Sequence, residues 1–226
     1  MRTFFFVLLG VLLLSGCKKN PPNPPQKALL VEPARNSECI PVQKTDDGNN
    51  LVRFRWLPGN HSESYEIVVT NLISGLVVDR EQRTIDLTLP LEEGMPYSWF
   101  VISKNSQTNE TATSPIWHFY NPGKQTEHVP FPAEIIAPEP GATVFKDIDN
   151  EVNLQWTATD LDDDIEGYSI YFSTENPPEA LIALLDTDDT SQKVSVVSDV
   201  VYYWRIVTVD ALGNTSDTGV LDFKVF

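Results

Sequence analysis

Histidine, cysteine and methionine are scarce in this chain, and basic residues are half as common as acidic ones. Its 226 residues hold 3 His, 2 Cys and 2 Met, with 16 Lys and Arg against 32 Asp and Glu, for a formal net charge of −16. The basic deficit excludes the footprint that nucleic-acid phosphates require. It also argues against the globular part lying flat on anionic lipid. His61, His118 and His128 stand apart, without HExxH, CxxC or any close ligand pair, so zinc chemistry has no support. No G-x-S-x-G elbow or P-loop occurs. The chain is therefore expected not to be an enzyme, although carboxylate pairs brought together by folding would not show in sequence. The apolar run that opens the chain, Phe4 to Leu14, has eleven residues, where a helix crossing a bilayer needs about 20.

That run, with Arg2 before it and small residues after it, has the layout of a secretory signal. Leu14-Ser15-Gly16-Cys17 resembles the lipobox of bacterial lipoproteins. The resemblance implies cleavage after residue 16 and acylation of Cys17, so that the membrane is a partner through a lipid anchor. An ordinary cleaved signal with a chance cysteine is the alternative. One acyl chain anchors only marginally, whereas lipoproteins of this type carry more than one, which makes a stable tether. Lys18 and Lys19 would lie at the headgroups. They differ from the Asp that retains some bacterial lipoproteins on the inner membrane, which favours the outer membrane. KKNPPNPPQK, residues 18–27, holds four prolines in ten residues. Extended as polyproline II at about 3.1 Å per residue, it would act as a stalk of up to roughly 30 Å. With Cys17 lipidated, Cys39 has no disulfide partner and is expected to be a small core residue.

The rest of the chain repeats itself. Val52-Arg53-Phe54-Arg55-Trp56 matches Val152-Asn153-Leu154-Gln155-Trp156, and Tyr65 to Val69 matches Tyr168 to Phe172. Pro96 to Val101 matches Val201 to Ile206, and Ser114 to Phe119 matches Thr218 to Phe223. Two domains, 28–120 and 133–226, follow, joined by a proline-bearing linker at 121–132. Period-two alternation punctuated by Pro58-Gly59-Asn60, Ser74-Gly75, Glu93-Gly94 and Gly213-Asn214 predicts short strands in an all-β sandwich. Pro178 to Leu185, PEALIALL, is the one stretch predicted to form a helical turn or two, and residues 31–50 carry little strand signal. Trp56 and Trp156 ending an early strand, Tyr65 and Tyr168 opening the next, and Tyr97-x-Trp99-x-Val101 with Tyr202-x-Trp204-x-Ile206 resemble fibronectin type III domains. The resemblance implies two tandem immunoglobulin-like β-sandwiches. Alternation puts Trp56, Trp99, Trp156 and Trp204 on the rows expected to face inward, where large rings fill the space between sheets.

One stretch raises the question of a metal. TATDLDDDIEGY, residues 157–168, spaces Asp160, Asp162 and Asp164 at i, i+2 and i+4, as the oxygen-rich loops that hold Ca2+ do. It is not an EF-hand, since Ile165 and Tyr171 stand where Gly and Glu would be needed. It resembles the D-P-D-G-D-x-x-x-Y turn of bacterial fibronectin-like modules, with Leu161 in place of the proline and Asp163 in place of the glycine. Either the aspartates cap backbone amides in a turn, or Asp160, Asp162 and Asp164 hold calcium, with Asp210 close enough to add a ligand. Asp186, Asp188 and Asp189 form a second acidic cluster. No other cofactor is expected. The predicted function is a membrane-anchored, non-catalytic binding or scaffolding lipoprotein of the bacterial cell envelope, with a protein or glycan ligand. The alternative is a carbohydrate-capture lipoprotein of a polysaccharide-utilisation system, with Trp117, Tyr120 and Tyr203 as stacking residues. Ile116 and His118 share the row opposite Trp117, so either Trp117 or that pair stays outside. If the terminal strands pair, Phe100 and Ile102 on the outward row lie beside Trp117 in an apolar patch, open to a partner or shielded by the linker or the other domain.

Overall fold

Alternation along Asn49–Leu57 sets the architecture of the first domain. Val52, Phe54 and Trp56 are buried on one side of this strand, while Arg53 and Arg55 project into solvent on the other. The computed structural model describes residues 22–226, so the predicted signal, Cys17, Lys18 and Lys19 lie outside the described residues. Domain 1 has ten strands: β1 (Leu29–Glu32), β2 (Ser37–Glu38), β3 (Gln43–Lys44), β4 (Asn49–Leu57), β5 (Ser64–Asn71), β6 (Val77–Gln82), β7 (Asp86–Glu92), β8 (Met95–Lys104), β9 (Ala112–Thr113) and β10 (Trp117–Asn121). In one sheet β4 is flanked by β1, β3 and β7; the other runs β2-β10-β8-β5-β6. Domain 2 repeats the plan with β11 (Glu134–Ala137), β12 (Ala142–Val144), β13 (Glu151–Thr157), β14 (Ile165–Ser173), β15 (Leu181–Asp186), β16 (Ser191–Ser195), β17 (Val201–Asp210), β18 (Thr215–Asp217) and β19 (Leu221–Val225). Its sheets run β11-β13-β16 and β12-β19-β17-β14-β15.

Each domain encloses a core fed by both of its sheets. Trp56, Trp99, Trp156 and Trp204 are all buried, as the inward rows predict. Their indole nitrogens make no hydrogen bond, so these rings contribute volume rather than polar contacts. The duplication extends to the packing. Trp56 meets Tyr65 edge-on at 5.6 Å and Trp156 meets Tyr168 edge-on at 5.5 Å; Tyr97 stacks on Phe119 and Tyr202 on Phe223. Near the start of β8 the Tyr97 hydroxyl donates to the carbonyl of Glu92, and near the start of β17 the Tyr202 hydroxyl accepts the Val197 amide, each reaching five residues back. Such a corner pins the connection between the sheets.

Three expectations are corrected. No helix forms among the described residues: PEALIALL carries β15, because its backbone groups complete the edge of β14. Residues 31–50 carry β2 and β3, and β2 leaves the first sheet to run parallel to β10 in the second. Trp117 lies on the inward row of β10, opposite Trp99, and packs edge-on against that ring at 6.2 Å. It therefore does not join Phe100 and Ile102 on the outer face. The chain ahead of β1 also follows the surface of domain 1. Pro25 is buried, the Gln26 amide donates to the Asn60 carbonyl at 2.9 Å, and Asn105 Nδ2 donates to the Asn23 carbonyl at 3.3 Å.

Candidate functional site

Strand direction brings the acidic residues together. β13 and β17 both end at the linker side of domain 2, and Asp210, the last residue of β17, pairs with Ile165, the first of β14. The Ala211 amide donates to the Asp164 carbonyl at 2.9 Å, which fixes the loop after β17 against the loop before β14. Asp160, Asp164 and Asp210 consequently place carboxylate oxygens within 4.8 Å of one another. Asp210 is fully buried; its Oδ1 accepts the amides of Leu212 and Asn214, and its Oδ2 accepts Asn214 Nδ2. Asp160 Oδ2 and Asp164 Oδ1 are buried and have no hydrogen-bond partner. Burial holds the Asp160 carboxyl above its usual range, and Asp164, Asp162 and Asp210 add repulsion, against the opposing bond from the Asp162 amide. The turn itself closes as a glycine-bearing one would. Asp163 takes φ of 57°, a left-handed conformation that Asp tolerates better than most residues, and Asp160 Oδ1 accepts the Asp162 amide at 2.7 Å in an Asx-turn.

Asp162 faces away from this group. One of its oxygens accepts the backbone amide of His128 at 2.6 Å, and the other lies 3.0 Å from His128 Nδ1. The bond from His128 holds the Asp162 carboxyl below the ordinary aspartate value. Of the three predicted ligands, the fold thus gathers Asp160 and Asp164 and adds Asp210, while Asp162 reaches the linker. Asp186, at the end of β15, and Asp188 and Asp189, in the turn after it, stay exposed and do not join the cluster.

The linker lies against β10 of domain 1. Phe131, only 1% exposed, stacks on His118 and meets Tyr120 edge-on, and the Val129 amide donates to the Tyr120 hydroxyl at 3.0 Å. Tyr120 is 3% exposed, so this predicted stacking residue offers no face to a sugar. Trp117 and Tyr203 are half-buried. The covering also leaves His118 only partly open to solvent, and burial lowers its pKa to about 4. Cys39 is buried as expected, and burial pushes its thiol up to about 12. A further acidic group, Asp147, Asp149 and Glu151, was missed. Its signal is the same alternate spacing, in Asp147-Ile148-Asp149-Asn150-Glu151, but Lys193 already pairs with Asp147 and Glu151.

The strand order defines the class: an all-β chain of two tandem fibronectin type III-like sandwiches. No protein-family model matches the chain, and no curated protein sequence matches it. Solved structures similar to it include a two-domain fibronectin type III segment of chicken tenascin, at 14% identity over 88% of this chain and 97% of that one, with a TM-score of 0.30. The fibronectin(III)-like modules of Clostridium thermocellum CbhA share 11% identity over 88% of this chain and 93% of theirs, with a TM-score of 0.34. The fn3 domain of the human collagen alpha-1(XX) chain shares 14% identity over 50% of this chain and 99% of its own, with a TM-score of 0.32.

Proposed function

We propose that the protein is a membrane-anchored, non-catalytic binding or scaffolding lipoprotein of the bacterial cell envelope, tethered through Cys17 on the outer membrane. An all-β chain of two sandwiches, each with its own core, suits a binding or scaffolding role. The observation that carries the reading is the order of segments: a short apolar run, Leu-Ser-Gly-Cys, a proline-rich stretch and then two sandwiches with cores of their own. Metabolic labelling with a palmitate analogue tests the anchor. Label and membrane fractionation are expected for the native chain and are expected to be lost together in Cys17→Ser; an unlabelled native chain would overturn the reading. The carbohydrate-capture alternative retains Trp117 and Tyr203 but not Tyr120, and a glycan array without binding counts against it.

Calcium is proposed as the ion for Asp160, Asp164 and Asp210. The supporting observation is the pair of buried, unpartnered oxygens on Asp160 and Asp164 beside the buried Asp210 carboxylate. Hard carboxylate oxygens suit Ca2+. Calorimetry is expected to give a binding heat for the native chain that disappears in Asp164→Asn. Equal heats in both would leave the loop as a turn alone.

A further inference from the structure

Two domains joined by a proline-bearing linker would by default move relative to each other. This linker lacks the features that freedom requires. Three amides within four residues are committed, and to opposite sides: Val129 to the Tyr120 hydroxyl of domain 1, His128 to the Asp162 carboxylate of domain 2, and Phe131 to the Thr159 carbonyl of domain 2 at 3.1 Å. Pro130, Phe131 and Ala133 are buried as core residues are. Phe131 stacks on His118 at 6.1 Å between ring centroids. Beyond the linker the domains touch directly. Glu134 of domain 2 accepts from Arg35 in a two-pronged ion pair and from Asn36 Nδ2 at 2.9 Å.

We infer that residues 128–134 form a rigid joint that fixes the bearing of domain 2 on domain 1, and that Asp162 is its clamp. The assignment follows from where the forces act. Phe131 supplies apolar burial against the outer face of β10, which resists separation but not rotation. Directional bonds resist rotation, and Asp162 makes two of them to one linker residue, from a loop held at Asp160 Oδ1 and by the Ala211 amide. Charge-assisted bonds of this kind are stronger than neutral ones. Arg35 and Asn36 hold Glu134 from the other side, so the joint is braced on both flanks. The acidic loop thereby acquires a task independent of any metal: Asp162 positions the linker while Asp160, Asp164 and Asp210 face elsewhere. The far end of domain 2, with the exposed Phe145, Ile148 and Phe226, is then presented in a single direction.

Spin labels at Glu110→Cys and Glu175→Cys, on exposed loops of the two domains, test this by pulsed dipolar distance measurement on the full chain. Cys17→Ser keeps the result independent of lipidation, and the buried Cys39 thiol stays unlabelled. One narrow distance peak is expected for this background. Loss of that narrow peak is expected in Asp162→Ala and in Phe131→Ala, with circular dichroism unchanged so that unfolding is not the cause. Asp162→Ala alters an exposed loop side chain and keeps the test valid if Phe131→Ala fails to fold. A broad distribution in the background chain, or a peak that stays narrow in Asp162→Ala, would overturn the inference.

Discussion

Asp160 shows how one residue reports the state of its neighbourhood. Its folded carboxyl titrates above the ordinary value, first because burial penalises the charge and then because Asp164, Asp162 and Asp210 repel it. A group raised by folding gives its full stability below the unfolded pKa of about 4 and loses it as pH rises through the folded value. The native chain therefore weakens across that window when no cation is present. Asp160→Asn removes the charge but keeps the Oδ1 acceptor for the Asp162 amide. In calcium-free buffer the variant is expected to melt at a higher temperature than the native chain near pH 7, and the difference is expected to close by about pH 3. Thermal melts at the two pH values measure it. The core tryptophans make a contrasting case at the same scale. Trp204 is fully buried with an unpartnered indole nitrogen, so Trp204→Ala is expected to cost about 3–5 kcal/mol through the cavity it leaves. Trp204→Phe forfeits volume but no hydrogen bond and is expected to cost clearly less, as read from urea midpoints.

At the scale of strands, the central ones were legible because their side chains alternate strictly, and the duplication gave each a second witness. β4 with β13 and β8 with β17 could be placed from Trp56, Trp156, Trp99 and Trp204 alone. β15 was not legible, since a short apolar run fits a strand or a helix equally and only its partner β14 decides. β2 and β3 hold two residues each and owe their conformation to the neighbouring strands rather than to their own side chains. The candidate site divides in the same way. Asp210 could be brought to Asp160 and Asp164 by counting strands, whereas the contact of Asp162 with His128 spans 34 residues across a domain boundary and leaves no local pattern. β15 also carries a prediction. It is an edge strand exposing Leu181, Ile182 and Leu184, the last at 73%, and exposed apolar edges invite pairing between chains. Leu184→Lys is expected to change stability by less than about 0.5 kcal/mol while suppressing light scattering on heating.

For the whole molecule, the contacts ahead of β1 alter the distance at which the sandwiches would stand from a membrane. Read as a free stalk, residues 18–27 would reach roughly 30 Å. Residues 23–27 instead follow domain 1, with Pro25 buried and Gln26 bonded to Asn60. Gly59 makes this approach feasible, because a Cβ there would lie 2.0 Å from the Gln26 carbonyl oxygen. With Cys17 as the proposed anchor, only the residues from Lys18 to Pro22 remain as spacer, about 15 Å at polyproline II extension. The net charge of −16 gives the globular part no attraction of its own for anionic lipid, so the spacer sets the gap. Neutron reflectometry on the lipidated chain in a supported bilayer is expected to place domain 1 within about 15 Å of the headgroups. Gly59→Ala, by forcing residues 23–27 off the surface, is expected to widen the gap toward the longer reach. A native gap near 30 Å would mean that this segment does not stay docked when the chain is anchored.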